Sequence, residues 1–199
     1  MNKAIFLDRD GVVNEIVFHE DVEVLDSPFN IRQVRIIKGA FEAIAIFNQL
    51  GFKVLLATNQ PGAAKGKMNL ARIEEINQHI VSLASNNGAS IDQVYCCPHH
   101  PIGTPEGDQG LIKSCNCRKP ATGLLLQGIE EHRIDINHSF MVGDSISDIQ
   151  AGKAVGLKTI LVGGMKCDAR RLYEEKDCLP DSVFQSLAPF AHSLKSQCN

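Results

Sequence analysis

Two carboxylates stand two residues apart directly after an apolar run near the start of the chain. Asp8, Arg9, Asp10 and Gly11 follow the apolar residues 4–7. Residues i and i+2 of an extended backbone point to the same side, so Asp8 and Asp10 can act together. Such a pair can hold Mg²⁺, which prefers oxygen ligands, or one member can attack an electrophile and form a covalent intermediate. The simpler alternative is that both carboxylates only cap the next segment.

A second acidic group and two polar groups occupy comparable positions further along the chain. Asp144 follows a short apolar run and a glycine, and Thr58 and Asn59 follow the apolar run 54–57. Arg118 and Lys119 close a loop just before a proline and a helical segment. If the runs are neighbouring strands, carboxylates, a hydroxyl, an amide and a cation meet at one edge of a sheet. Hydroxyl, amide and ammonium groups can bind a phosphate, so the combination favours phosphate chemistry.

A loop rich in cysteine and histidine lies between these groups. Cys97 and His99 are two residues apart, as are Cys115 and Cys117. Three thiolates and one imidazole form a tetrahedral structural zinc set, which would fix a loop that lacks its own core. The alternatives are free thiols or a disulfide between Cys115 and Cys117, which is geometrically poor at this spacing.

Two neighbouring residues compete for the same metal. Cys96 should point to the opposite side of its strand from Cys97 and pack inward. Spacing alone does not exclude His100. The chain has seven cysteines, an odd number that cannot all pair within it. We predict that the four outside the proposed set are thiols that do not bind the metal: Cys96, Cys167, Cys178 and Cys198.

Short apolar runs alternate with longer segments of helical periodicity, which predicts a parallel sheet flanked by helices. The predicted strands are 4–7, 52–57, 91–96, 140–142, 159–162 and 181–184, and the predicted helices are 40–50, 69–83, 122–132, 146–155 and 187–194. Residues 15–38 and 97–119 do not fit the alternation. Both follow strand ends, where ligands bind in open α/β sheets, and irregular segments of this length are usually functional.

Length and composition limit the functions that the chain can have. Its 199 residues carry a net charge of −3, which gives no electrostatic footprint for nucleic acid and disfavours a DNA 3′-phosphatase. The apolar runs are too short to cross a bilayer, and charged residues interrupt the N-terminal run, so we expect no secretory signal. We expect a single domain over residues 1–199, a cytoplasmic location and a monomer.

The ordered set of acid pair, Thr-Asn, Lys and Gly-Asp resembles the haloacid dehalogenase superfamily, whose members hydrolyse or transfer phosphate on a Rossmann-like sheet. The resemblance implies that Asp8 is the nucleophile and that Asp10 protonates the leaving alcohol and then activates water. Thr58 and Lys119 would hold the phosphoryl oxygens. Asp8, Asp144 and the backbone carbonyl of Asp10 would coordinate Mg²⁺, while Asp148 would support them rather than bind the metal.

The residues Phe6 to Gly11 read FLDRDG, and the loop reads C-P-H-H followed by C-N-C-R-K-P. These motifs resemble the zinc-loop branch of the superfamily, which contains D-glycero-D-manno-heptose 1,7-bisphosphate 7-phosphatases and histidinol-phosphate phosphatases. The resemblance implies that Cys97, His99, Cys115 and Cys117 bind zinc and that Arg118 meets the second phosphate of a bisphosphate. It implies a small-molecule phosphatase of nucleotide-heptose biosynthesis for lipopolysaccharide or capsule. The alternatives are histidinol-phosphate phosphatase and a non-catalytic, zinc-stabilised binding protein.

The sequence leaves no room for a large cap domain, so the two irregular loops should shape the pocket. Asn59 and Arg118 are the predicted substrate-binding residues, although Arg118 could instead pair with a surface acid. The loop 15–38 is long, and His19 within it is expected to be an ordinary surface residue. After Asp144, the position that the branch often fills with lysine is Ser145.

Overall fold

The computed structural model describes residues 1–163, 173–174 and 177–197. Cys167 and Cys198 therefore lie outside the described residues. The strands are β1 Lys3–Leu7, β2 Val17–His19, β3 Val24–Asp26, β4 Phe52–Asn59, β5 Gln93–Cys97, β6 Phe140–Gly143, β7 Lys158–Val162 and β8 Ser182–Phe184. The helices are α1 Ala40–Gln49, α2 Leu70–Asn86, α3 Gly123–His132, α4 Ile146–Ala154 and α5 Leu187–Gln197.

Six strands form one parallel sheet in the order β5-β4-β1-β6-β7-β8. The chain proceeds outward from β1 to one side through β4 and β5, and to the other side through β6, β7 and β8. The strand order therefore reverses beside β1, and a crevice opens there at the carboxyl ends of the strands, where α/β sheets bind ligands. The predicted parallel sheet with flanking helices is confirmed.

Apolar side chains cover both faces of the sheet. On β1, Ile5 and Leu7 pack in the cluster that contains α1 and α5 residues, whereas Ala4 and Phe6 pack in the cluster that contains α3 and α4 residues. All four side chains are fully buried. A parallel strand covered on both faces reads as a continuous apolar run, which is why the sequence reveals β1 so clearly.

The segment 15–38 contains more structure than its sequence predicts. Strands β2 and β3 pair antiparallel as a separate hairpin. An ion pair between Asp26 and Lys67 joins this hairpin to the loop after β4. The ammonium of Lys67 also lies 5.4 Å from the centre of the Phe29 ring. The hairpin is thus attached to the body of the protein beside the carboxyl ends of the strands.

The expectation that His19 is an ordinary surface residue is wrong. Its side chain is buried, with its ring stacked on that of Phe29 at a centroid distance of 3.6 Å. Its Nε2 atom lies 3.0 Å from the carbonyl oxygen of Ser27. The hairpin turns this side of β2 toward the protein, a contact that strand alternation alone could not reveal.

Within the described residues no helix is long and apolar enough to cross a membrane.

Candidate active site

The carboxyl edge of the sheet gathers the polar residues that the sequence singles out. Leu7 at the end of β1 is in register with Leu56 of β4 and with Val142 of β6, each of which is within three residues of the end of its strand. The Asp8 backbone N–H donates to the Val142 carbonyl at 2.9 Å, which continues the ladder by one residue. The residues that follow the three strand ends are therefore brought together in space.

Lys119 reaches this edge as a buried cation between two carboxylates. Its Nζ atom lies 3.0 Å from Oδ1 of Asp8 and 2.5 Å from Oδ1 of Asp148. Burial alone would lower the pKa of Lys119, but the charges of Asp148 and Asp8 raise it above its ordinary value. Asp148 also accepts a hydrogen bond from the Ser145 hydroxyl at 2.5 Å. The lysine is thus a fixed positive charge beside the Asp8 carboxylate.

The remaining negative charge fits a divalent cation. Oxygen atoms of Asp8, Asp144 and Asp148 lie within 4.8 Å of one another. Burial, and then the charge of Asp148, raises the pKa of Asp144 to about 6. Burial raises the pKa of Asp8 to about 7, with Lys119 opposing and the neighbouring aspartates reinforcing the shift. Oxygen donors with uncompensated charge in a crowded site are what a hard cation requires.

Two glycines make room for this acidic group. A Cβ atom on Gly11 would lie 2.1 Å from Oδ2 of Asp144, and the φ angle of Gly11 is +78°. A Cβ atom on Gly143 would lie 2.2 Å from the Cβ of Asp148. Glycine at position 11 lets Asp144 approach the turn after β1, and glycine at position 143 lets Asp148 of α4 pack against the end of β6.

The Asp10 carboxylate is held away from the acidic group by three donors. Gln60 Nε2 donates at 2.5 Å, Asn14 Nδ2 at 2.8 Å and the Arg9 guanidinium at 3.0 Å. Arg9 is completely buried and also donates to Oδ1 of Asn77 at 2.7 Å. Sequence reasoning missed these three donors. An arginine between two acids at the end of a buried strand was the available signal for Arg9.

Asn59 and Thr58 occupy the end of β4. The Asn59 side-chain amide donates to the Lys119 carbonyl at 3.0 Å, and its oxygen accepts from the Lys119 backbone N–H at 3.0 Å. This reciprocal pair fixes the backbone that carries the lysine. The Thr58 hydroxyl is buried and accepts a hydrogen bond from Gln60 Nε2 at 2.8 Å. The pair Thr58–Asn59 thereby connects β4 to both Asp10 and Lys119.

The four predicted metal ligands converge in the cysteine loop. The Cys117 sulfur lies 2.9 Å from that of Cys97 and 3.3 Å from that of Cys115. Nδ1 of His99 lies 3.3 Å from the Cys117 sulfur and 3.7 Å from the Cys97 sulfur. This Cys/His cluster can hold a metal ion.

The two rival ligands are turned elsewhere. Nδ1 of His100 lies 2.5 Å from the Ile102 carbonyl oxygen, outside the Cys/His cluster. Cys96 lies outside the cluster too, and burial raises the pKa of its thiol to about 11. In the tertiary structure His99 lies in the Cys/His cluster and His100 does not, a distinction that the sequence spacing could not make.

The Cys/His cluster adjoins the acidic edge. Cys97 is in register with Asn59 at the ends of β5 and β4, and the Gln60 backbone N–H donates to the Cys97 carbonyl at 2.8 Å. The loop then returns from Cys117 to Lys119 within two residues. A metal bound in the cluster would thus fix both ends of the loop that delivers Lys119.

A cavity of about 350 Å³ opens above the acidic edge, a volume within the range of ligand pockets. Its floor is acidic, its sides include the hairpin, and two cationic side chains line it. The lining residues are Asp8, Asp10, Ile16, Leu25, Asp26, Ser27, Asn59, Pro61, Lys65, Arg118, Asp144, Ser145 and Ser147. Sequence reasoning found Asp8, Asp10, Asn59, Arg118 and Asp144, and it expected the segment 15–38 to shape the pocket. It gave no role in the cavity to Pro61, Lys65 or Ser147.

The fold and this arrangement of acids, threonine and lysine are those of the haloacid dehalogenase superfamily. The family model described as HAD-hydrolase-like matches residues 116–190. The chain is 39% identical to D-glycero-beta-D-manno-heptose-1,7-bisphosphate 7-phosphatase of Pasteurella multocida (strain Pm70), covering 81% of this chain and 82% of that protein. It is 35% identical to the enzyme of the same name from Yersinia pestis, covering 98% and 96%. The chain belongs to the family of these heptose bisphosphate phosphatases.

A solved structure agrees with this membership. The D,D-heptose 1,7-bisphosphate phosphatase from B. bronchiseptica, complexed with magnesium and phosphate, superposes with a TM-score of 0.76. It is 30% identical in sequence and covers 98% of this chain and 99% of that chain. The likeness extends over the sheet and its helices, and it supports Mg²⁺ as the cation of the acidic edge.

We expect protons to compete with Mg²⁺ at this site. Because the pKa values of Asp8 and Asp144 are raised to about 7 and about 6 in the metal-free protein, binding below pH 6 must displace protons from both carboxylates. The Mg²⁺ dissociation constant should therefore fall steeply from about pH 5 to about pH 7 and then level off. Calorimetric titration in buffers of different ionisation enthalpy measures the protons released. Asp144→Asn should release about one proton fewer, and an affinity independent of pH would contradict the expectation.

Proposed function

We propose that the protein hydrolyses the 7-phosphate of D-glycero-D-manno-heptose 1,7-bisphosphate through an aspartyl-phosphate, in nucleotide-heptose biosynthesis for lipopolysaccharide or capsule. The observation that carries the proposal is one cavity with Asp8 beside Lys119 at its base and Arg118 in its wall. The family to which the chain belongs supports the sugar. The alternative substrate, histidinol phosphate, has no comparable support.

In the first step, an Asp8 oxygen attacks phosphorus, and the bond between phosphorus and the sugar oxygen breaks. Asp10, protonated at this stage, gives its proton to the departing sugar oxygen, which leaves as an alcohol. Lys119 and the Thr58 hydroxyl bind the phosphoryl oxygens during the transfer. The three donors around Asp10 orient its carboxyl group toward the substrate.

In the second step, water attacks the phosphorus of the aspartyl-phosphate. Asp10, now a carboxylate, takes the proton from that water, because protonating the leaving group made it a base. The bond between phosphorus and the Asp8 oxygen breaks, inorganic phosphate leaves, and both aspartates return to their starting states. The same group thus serves as acid and then as base.

We infer that Asp8, Asp144 and the backbone carbonyl of Asp10 hold Mg²⁺. When bound, the ion would neutralise charge on the transferring phosphoryl group. Asp148 binds Lys119 and Ser145. We infer that it orients the Lys119 ammonium beside Asp8 and is not a ligand of Mg²⁺. The Asp10 side chain is occupied by its three donors, which leaves its backbone oxygen for the metal.

We also propose that the Cys/His cluster holds structural zinc. A tetrahedral ion with Zn–S bonds of about 2.3 Å separates its sulfur ligands by about 3.8 Å, and the sulfur atoms here lie 2.9 to 3.6 Å apart. The sulfur atoms of Cys97, Cys115 and Cys117 therefore need to move apart only slightly to bind the ion, with His99 as the fourth ligand. Cys115 also accepts a hydrogen bond from the Arg118 backbone N–H, which suits a thiolate ligand.

We propose that Arg118 binds the phosphate that is not hydrolysed. Its guanidinium lines the cavity and donates to the His99 carbonyl at 3.3 Å. It forms no ion pair with any described carboxylate, which disfavours the alternative of a surface arginine that pairs with an acid. A guanidinium can bind a phosphate through two parallel hydrogen bonds, so it suits a bisphosphate. Asn59, whose amide holds Lys119, would contribute mainly by positioning that lysine.

We further infer that residues 1–199 form a single domain that works as a monomer in the cytoplasm. A reducing compartment would keep the thiols of the Cys/His cluster available for a metal.

Turnover of three substrates tests the proposal. We expect Mg²⁺-dependent hydrolysis of the β and α anomers of the heptose bisphosphate with kcat/KM at least about 100-fold above that for histidinol phosphate, because the cavity has cations for two phosphates. Phosphate release and the position of the remaining phosphate, read by ³¹P NMR, give the rate and the bond that is cleaved. A preference for histidinol phosphate would overturn the proposed substrate.

A further inference from the structure

The cavity contains a second cation that the proposed mechanism does not use. Lys65 lies in the turn after β4 and lines the same cavity as Arg118. The Lys65 backbone N–H donates to the Pro61 carbonyl at 3.0 Å, and the Lys67 backbone N–H donates to the Gly62 carbonyl at 2.8 Å. The backbone that carries the lysine is therefore held in a hydrogen-bonded turn at the cavity wall.

Ion pairing within the cavity leaves Lys65 without a carboxylate of its own. Lys119 pairs with Asp8, and Arg9 pairs with Asp10. Asp26, the acid of the hairpin that faces the cavity, pairs with Lys67. Among the described residues, Lys65 forms no ion pair, in the same way as Arg118.

Asp26 is a carboxylate within the electrostatic reach of Lys65, and Lys67 already pairs with it. Burial on its own would raise the pKa of Asp26, but the hydrogen bonds from Lys67 and the Ser27 backbone and the charges of Lys67 and Lys65 lower it. The field of Lys65 thus reaches the hairpin side of the cavity, while the direct contact belongs to Lys67. Two unpaired cations in one cavity match the charge of a phosphate dianion.

The other side of the cavity offers no such charge. Ser145 lines this side with a neutral hydroxyl, which donates to Oδ2 of Asp148 at 2.5 Å. The two unpaired cations of the cavity then lie on the loops after β4 and β5.

We propose that Lys65 and Arg118 together bind the phosphate that is not hydrolysed, and that Lys65 is a residue that determines the preference for a bisphosphate over a monophosphate. This inference rests on the proposed function. Arg118 supplies directional hydrogen bonds and Lys65 a point charge, and together they neutralise the second phosphate group. The substrate would extend from Asp8 toward the loops after β4 and β5, away from Ser145.

The test compares D-glycero-D-manno-heptose 1,7-bisphosphate with D-glycero-D-manno-heptose 7-phosphate. We expect Lys65→Ala to lower the ratio of the two kcat/KM values by about 10- to 100-fold, the range for one hydrogen bond to a charged group. Lys65→Arg should restore most of the ratio. Lys195→Ala removes an exposed lysine of α5 that does not line the cavity, and it should leave the ratio as in the wild type.

A second measurement does not depend on turnover. The inhibition constant of D-glycero-D-manno-heptose 1-phosphate should rise about 10-fold or more in Lys65→Ala. If the wild-type protein does not hydrolyse the bisphosphate, the proposed function fails. If it prefers the bisphosphate and Lys65→Ala keeps both the ratio and the inhibition constant, the role of Lys65 is overturned while the proposed function stands. If Lys65→Arg lowers the ratio of kcat/KM values as much as Lys65→Ala does, the role of Lys65 is also overturned, because another positively charged side chain should replace a point charge.

Discussion

Asp8→Asn is expected to lower the rate of Mg²⁺-dependent phosphate release by at least about 10⁴-fold, because the amide that replaces the carboxylate cannot attack phosphorus. The substitution is nearly isosteric, and Lys119 keeps its contact with Asp148 at 2.5 Å. The variant should therefore stay folded. Its loss of activity would reflect the missing nucleophile and not a collapsed site.

Stability offers an independent check on this variant. Burial raises the pKa of Asp8 to about 7, so ionising this carboxylate in the metal-free protein has a cost in folding free energy. Removing it should leave the unfolding temperature of the metal-free protein unchanged or higher. A control that removes a solvated carboxylate is Asp21→Asn, since Asp21 is exposed in the turn of the hairpin. That variant should match the wild type in rate.

Rapid acid quenching gives the decisive measurement. Phosphate should be trapped on the wild-type protein during turnover and not on Asp8→Asn. Phosphate release by Asp8→Asn at the wild-type rate, dependent on Mg²⁺, would refute Asp8 as the nucleophile.

Loss of the proposed zinc from the Cys/His cluster is expected to lower both the stability and the activity of the protein. In Cys117→Ser the sulfur that contacts all three other ligand atoms is removed. Because metal binding supplies folding free energy to the loop, we expect the bound zinc to fall well below one equivalent and the unfolding temperature to fall by roughly 10 °C. We expect kcat/KM to fall by about 10- to 100-fold, because Lys119 follows Cys117 by two residues.

His100→Ala is the matched control for this experiment. His100 adjoins the proposed ligand His99 in sequence, yet its ring contacts the Ile102 carbonyl. The variant should keep a full equivalent of zinc by atomic absorption and a wild-type unfolding temperature. If His100→Ala lost the metal and Cys117→Ser kept it, the ligand set assigned here would be wrong. A chelator strong enough to strip zinc should reproduce the Cys117→Ser result in the wild-type protein.

The limits of the sequence are visible in particular residues. The apolar runs and helical segments predicted the strands and helices to within a few residues, because a strand buried on both faces and an amphipathic helix each leave a local pattern. The segment 15–38 left no such pattern. Its hairpin depends on contacts with Lys67, more than forty residues away from Asp26, and nothing local indicated that His19 would be buried.

The cavity likewise combines residues whose chemistry the spacing predicted with residues whose contacts it could not predict. The spacing of Asp8 and Asp10 and of the cysteine pairs indicated their chemistry, because side chains two residues apart in extended backbone share one side. Spacing could not indicate that Arg9, Gln60 and Asn14 hold Asp10. It also could not show that Lys65 remains unpaired, since that depends on which cation satisfies Asp26.

The sequence by itself determined the class of chemistry, the order of the strands and helices along the chain, and the residue types available for two metals. Only the tertiary structure decided that His99 and not His100 joins the three cysteines, that Asn59 holds the backbone of Lys119, and that Lys65 faces the cavity. Local spacing follows from covalent geometry and depends only on neighbouring residues. Contacts between distant residues follow from how the strands align and the loops pack, and those are settled when the whole core forms.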